Sequence, residues 1–439
     1  MAEGVAEGGL VRVLLISANR HDRYLGSLAM RPAPIGLAYL AAGLDTACHP
    51  VRVVDLMFAA DPGRAVEEAV AAFDPGLVGI ALRQADNQAP SRPASFLPLA
   101  REIVARCRTL SKAPIVVGGQ GFSLLPKPCF EYLDPDFGIV GDADDVFPLL
   151  VEAIGGGQEC GHLPGIVHRH HSMVRANPWR SFSNYRRPPR LDLLDLAPYR
   201  AEGYGLGVVA RMHDFPRPHD PPAIRQAAAG LRVRPPAAVV DEMAALRAAH
   251  GFDRFFLLDP AFGEPVDHAL ALCAELERRH LQVSWATTLS PGELRPEVAA
   301  AMHRAGCALA VLGGVGPMQD RLSDFDGHLA ALARTCRALA AGEVPFALSL
   351  IFGRPGETRE TVERALALAE RSGADHVILV GGVRILPHTP LAERAIAEGR
   401  IAAHDDLLFP VFYVANGVAP WLADRLAAAA AGRAGWHLA

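Results

Sequence analysis

The stretch APIVVGGQGF, residues 113–122, decides how the first third of this chain is to be read. A β-branched run followed by three glycines within four residues predicts a buried strand that ends in a tight turn. Glycines at such a place let the backbone come close to a large ligand, although a plain turn uses the same residues. Outward from it, VRVLLISAN (11–19), VRVVDL (51–56), LVGIAL (77–82) and FGIVGD (137–142) have the same strand character. Helical patterns lie between them at 34–44, 63–73 and 96–108, and a last one at 146–154 closes the series. Buried runs separated by single helices predict a parallel sheet with right-handed crossovers. The fold class is therefore α/β, opening with a doubly wound, Rossmann-like domain over residues 1–154. Such a domain binds ligands beyond the carboxyl ends of its strands.

Residues 155–204 read as a connector. It contains HRHH (168–171), whose successive residues point to opposite faces if the segment is a strand, so a solvated hairpin is expected rather than a metal site. A second βα series follows over 205–400, with strand-like runs at 205–212, 254–260, 283–289, 309–314, 346–353 and 376–386. Six such units in this length predict an incomplete (β/α)6 barrel, with its chemistry on the loops at the carboxyl ends of the strands. Residues 401–439 are expected to cover the barrel with an Ala-rich helix.

Composition narrows the class of function. A chain of 439 residues with net charge −5 and no Lys/Arg block lacks the broad basic surface of a nucleic-acid binder. No apolar run of about 18 residues predicts a membrane span, and the start, MAEGVAEGG, has no apolar leader, so a cytoplasmic location is expected. The seven cysteines are dispersed without a CxxC pair, which suggests reduced thiols used as small buried residues.

The order of these pieces resembles the cobalamin-dependent radical SAM family. RPAPIGLAYLAAGL (31–44), PIVVGGQGFSLLPK (114–127) and FGIVGDADDVFPLLVEAI (137–154) are similar to that family's B12-binding domain. LRVRPPAAVVDEMAAL (231–246), RFFLLDPAFGEPVDHALALCAEL (254–276), MHRAGC (302–307), FGRPGETRETVERAL (352–366) and VRILPHTPLAERAIAEG (383–399) are similar to its barrel. The resemblance implies cobalamin held by strand-end residues Ser17, Asn19, Leu82, Arg83, Gln84, Gly118, Gly119, Gln120, Gly121, Phe122, Gly141 and Asp142. It also implies a possible S-adenosylmethionine (SAM) site near Thr287, Phe352, Gly353 and Arg384, with Arg384 as a carboxylate clamp.

The chain departs from the family in ARMHDFPRPHDPP (210–222). The family places a CxxxCxxC loop there for a [4Fe–4S] cluster. Here the three thiolate positions fall near Asp214, Pro218 and Pro221, none of which can serve, so no cluster and no metal are expected. A mononuclear metal on His213, Asp214, His219 and Asp220 is the less favoured alternative. Without a cluster no electron reaches SAM, and polar methyl transfer through cobalamin to a small molecule of secondary metabolism becomes the leading expectation. His213, His219 and Asp259 are the candidate acid–base groups. The rival expectations are a silent homologue that partners an intact radical SAM enzyme, and a corrinoid carrier or sensor.

Overall fold

The computed structural model describes residues 9–20, 30–44, 48–178, 187–213, 231–259, 261–292, 294–313 and 324–439. The chain divides into two compact units, one of residues 1–22, 33–87 and 94–198, the other of residues 23–32, 88–93 and 199–439.

In the first unit, β1 (Val13–Ser17), β2 (Val51–Asp55), β3 (Leu77–Ala81), β4 (Ile115–Gly118) and β5 (Phe137–Ile139) are parallel, in the order β2-β1-β3-β4-β5. Every residue of β1 is buried, because helices cover both faces of a parallel sheet. On one side Leu15, Leu37, Val116, Phe147, Leu150 and Val151 form a continuous core. The connector joins this unit. Two antiparallel strands, β6 (Ile166–His170) and β7 (Met173–Ala176), extend the sheet past β5 as the expected hairpin.

The second unit begins with β8 (Gly207–Val209). The run expected as one strand over 205–212 breaks at Ala210, and a separate antiparallel pair follows, β9 (Arg211–His213) and β10 (Leu231–Val233). Next come β11 (Arg254–Leu258), β12 (Ser284–Leu289), β13 (Cys307–Gly313), β14 (Phe346–Ile351) and β15 (His376–Val380). A small antiparallel pair, β16 (Val383–Arg384) with β17 (Phe412–Tyr413), precedes the last strand, β18 (Trp436–Leu438). The main sheet is parallel throughout, in the order β18-β15-β14-β13-β12-β11-β8. The six expected strands are present. The seventh, β18, was not expected, because three residues after an Ala-rich helix carry too little periodicity to announce a strand. The tail therefore completes the sheet as well as covering it.

Alternation along these strands separates two cores. Trp285, Phe255, Phe346, Leu348 and Leu379 are fully buried toward the helices. The opposite parity, with Phe256, Ala286, Val311, Ala347, Ile378 and Val380, packs in a second cluster that also contains Tyr204 and Ala439. That second cluster fills the lumen of the incomplete barrel.

Candidate functional site

The first rim is built from the carboxyl ends of β1, β3, β4 and β5. In the strand order 2-1-3-4-5, the crevice lies where β1 and β3 send their chains to opposite faces. Asn19, 4% exposed, closes that point, its Oδ1 accepting from the Arg83 amide at 3.0 Å. The loops after β3 and β4 then lie backbone on backbone. The Leu82 amide donates to Gly118 O at 2.8 Å, and the Gly121 amide donates to Leu82 O at 2.9 Å. Gly119 has φ +100°, and a Cβ there would stand 2.6 Å from Leu82 O. A Cβ on Gly121 would stand 2.6 Å from the carbonyl carbon of Gln84. These two glycines are thus required by contact between two loops, a role their spacing alone does not reveal. Gly141, at φ +88°, donates its amide to Ser123 Oγ at 2.9 Å and holds the loop after β5.

The expected rim residues fall into two groups. Arg83 and Gln120 are exposed, and Gln84, Gly118, Gly119, Gly141 and Asp142 are partly so, placing them where a ligand can reach. Ser17, Asn19, Leu82, Gly121 and Phe122 are buried. Phe122 is a core residue, packed over Gly138, where any Cβ would overlap its ring. Its side chain supports the loop from beneath and does not line the rim.

The second rim lies at the carboxyl ends of the barrel strands. Asp259, 4% exposed, follows β11 and accepts from the Ala261 amide at 2.9 Å. Thr288 Oγ1 donates to the Asp259 carbonyl at 2.5 Å. Thr287, expected at the site, faces the other way. It is fully buried on the helix side and donates to Leu257 O at 3.1 Å. The lumen-facing threonine is Thr288, which shares the parity of Ala286; the strand period could have found it.

After β14, the Phe352 amide donates to Val380 O at 2.8 Å, and Gly353 turns at φ +88°. Glu357 reaches back under this turn, accepting from the amides of Gly353 and Arg354. Its carboxylate and the Arg354 guanidinium are both buried, 3.6 Å apart. Burial pushes Glu357 above the usual carboxylate range and Arg354 below its own. Arg354 also stacks over Phe325, 4.4 Å from the ring centre. Arg384, the expected carboxylate clamp, spends its terminal nitrogens on Ile385 O at 2.6 Å and Leu407 O at 2.7 Å. In this structure it staples the segment after residue 400 to the barrel.

His213 lies at the end of β9, paired through its backbone with Leu231. His219, with Asp214 and Asp220, lies outside the described residues. The cysteines are placed elsewhere. Cys107, Cys273 and Cys336 sit within helices, with thiols pushed up by burial to about 11, 12 and 11. Cys307 begins β13, at the opposite end of the strand from the carboxyl-end rim, and burial raises it too. Among the described residues, no three His, Cys, Asp or Glu side chains converge as a metal site. Nor is any described helix long and apolar enough to cross a membrane.

Comparison with known proteins bears on this pair of rims. Residues 24–151 match the B12 binding domain, a range that includes the rim loops after β3, β4 and β5. The radical S-adenosylmethionine methyltransferase TsrM of Kitasatospora setae, solved with cobalamin and a [4Fe–4S] cluster, superposes with a TM-score of 0.81 at 24% identity. That match covers 98% of this chain and 93% of TsrM. The chain carries a B12-binding domain within the fold of the cobalamin-dependent radical SAM methyltransferases. Two curated relatives are each 25% identical. An uncharacterized methyltransferase of Pyrococcus horikoshii aligns over 89% of this chain and 84% of its own length. Tryptophan 2-C-methyltransferase of Streptomyces laurentii aligns over 83% and 72%. Both of these relatives carry methyltransferase names, and the chain spans most of each.

Proposed function

We propose that this chain is a cobalamin-dependent methyltransferase that passes a methyl group from SAM to a small molecule of secondary metabolism by polar chemistry, without an iron–sulfur cluster. One observation carries the reading: a glycine-bridged strand-end rim inside a matched B12-binding domain is joined in one chain to a barrel whose first loop has no thiol.

The first rim fits a corrin. Its partly exposed positions are mostly glycine backbone, and its buried Asn19 and Ser123 hold the loops from behind. Bound cobalamin supplies a cobalt centre that can take up a methyl group and hand it on. Arg83, Gln84, Gln120 and Asp142, exposed or partly exposed on this rim, would orient it. A [4Fe–4S] cluster does not fit the residues present. No cysteine occurs between Cys160 and Cys273, and a cluster of this kind is held by thiolates.

An acceptor that gains a methyl group sheds a proton, so the reaction needs a base. Asp259 lies at a strand end on the barrel rim, and His213 and His219 fall within the stretch 210–222, which has no cysteine. The turn Phe352–Gly353, whose amides are held by Val380 O and Glu357, would form a rigid wall beside the SAM adenine.

The test is reconstitution of the full chain with hydroxocobalamin, followed by gel filtration and analysis for corrin, iron and sulfide. About one corrin per chain without iron is expected, together with transfer of labelled methyl from SAM when small-molecule acceptors, L-tryptophan first, are offered. Stoichiometric iron and sulfide, or failure to retain any B12 form, overturns the reading.

A further inference from the structure

We propose that the His376–His437 pair is an acid-released catch that holds the seventh strand on the barrel sheet. β18 is three residues long and is attached to β15 in parallel register, Val377 with Trp436, Ile378 with His437 and Leu379 with Leu438. Backbone bonds at its two ends, Val377 N to Gly435 O and Ala439 N to Leu379 O, are each 2.9 Å. So short a strand has little attachment of its own, and side chains must contribute to holding it.

The register sets both histidines on the lumen face. His437 stands beside Ile378, and His376 stands beside Ala347, both residues of the lumen cluster. His437 Nε2 and His376 Nδ1 approach to 3.4 Å, and the rings are 5.6 Å apart. Two neutral imidazoles can share one proton across that contact. Two imidazolium ions cannot, since both nitrogens then carry hydrogen and both rings carry charge.

Among the described residues, no carboxylate acts on His437 to offset this. Asp375 Oδ2 accepts from the Phe346 amide at 3.0 Å. Arg433 is paired with Glu370 at 2.8 Å and stacks over Trp436. On the helix Leu422–Ala430, Asp424 is exposed and Arg425 is held by Glu363 at 2.7 Å. β14 brings only Ala347, Ser349 and Ile351 to this face. Burial and the neighbouring His376 both lower the His437 pKa, so the folded chain takes up its proton less readily than the unfolded one. The attachment is therefore complete above the ordinary histidine pKa and weakens as pH falls below it. Release would leave β15 as the sheet edge and open the lumen at the side where Ala439 now packs.

Hydrogen–deuterium exchange on the full chain tests this, after correction for the intrinsic pH dependence of amide exchange. Between pH 8 and pH 5, protection at residues 436–439 should fall severalfold. Protection in β12 should hold. His437→Gln should remove the pH dependence, and His376→Gln should reduce it, leaving the part due to burial of His437. Gly435→Ala provides the signal of a detached strand, because its Cβ would meet Asp375 O at 2.4 Å. Equal wild-type protection at the two pH values overturns the proposal without recourse to any variant, and so does an undiminished fall in both glutamine variants.

Discussion

Gly119 and Gly121 occupy positions where one added carbon collides with backbone, and backbone cannot swing aside as a side chain can. Gly119→Ala also meets a φ of +100°, so the two costs combine to about 2–4 kcal/mol. Thermal unfolding should report that loss, and cobalamin titration should show weaker binding still, because the distorted loop is the rim itself. Substitution at Gly157, also at positive φ but with open space around it, should leave binding unchanged. Arg384 makes the complementary point. Its two carbonyl contacts are short and buried, so Arg384→Leu should cost about 2–4 kcal/mol in chemical denaturation by leaving two acceptors unsatisfied. A residue serving only as a SAM clamp would instead lower SAM affinity and leave stability alone.

At the scale of elements, the turn after β14 and the helix Arg359–Arg371 act together. Thr358 caps that helix, accepting from the Thr361 amide at 3.3 Å while Thr361 Oγ1 accepts from the Thr358 amide at 3.0 Å. Thr358→Ala should cost about 1 kcal/mol. Beside it, His328 is pushed down to about 4 by burial and by the Arg354 charge. A folded-state pKa below the unfolded one means that stability is complete above about pH 6.5 and is lost as pH falls toward 4. Partial exposure screens the effect to about 1–2 kcal/mol. Unfolding curves at pH 7 and pH 4.5 should therefore converge in His328→Gln relative to the wild type.

On the scale of the whole molecule, much of the architecture was legible in the chain. Runs such as VLLIS are apolar at every position because both faces of a parallel sheet are covered, and that pattern survives any detail of packing. The hairpin at 166–176 was legible as two short strands, although its histidines are not dispersed by the pleat, His168 and His170 sharing one face with rings 6.2 Å apart. The site was less so. Thr287 and Thr288 are chemically identical neighbours, and strand parity separates them, Thr288 sharing the face of Ala286. Phe122 looked like part of a ligand loop and proved to be its support, because Gly138 leaves room beneath it. The seventh strand was invisible, as three residues gain strand character only from the neighbour they join.

The sequence by itself determined the two α/β units, their order, and the lack of thiols in the barrel's first loop, because covalent identity and hydrophobic period are local properties. Tertiary structure alone decided which glycines bridge two loops, which arginine is a staple, and which histidines meet. Those are contacts between residues as much as 61 positions apart in the chain, and no local pattern encodes a partner at that distance.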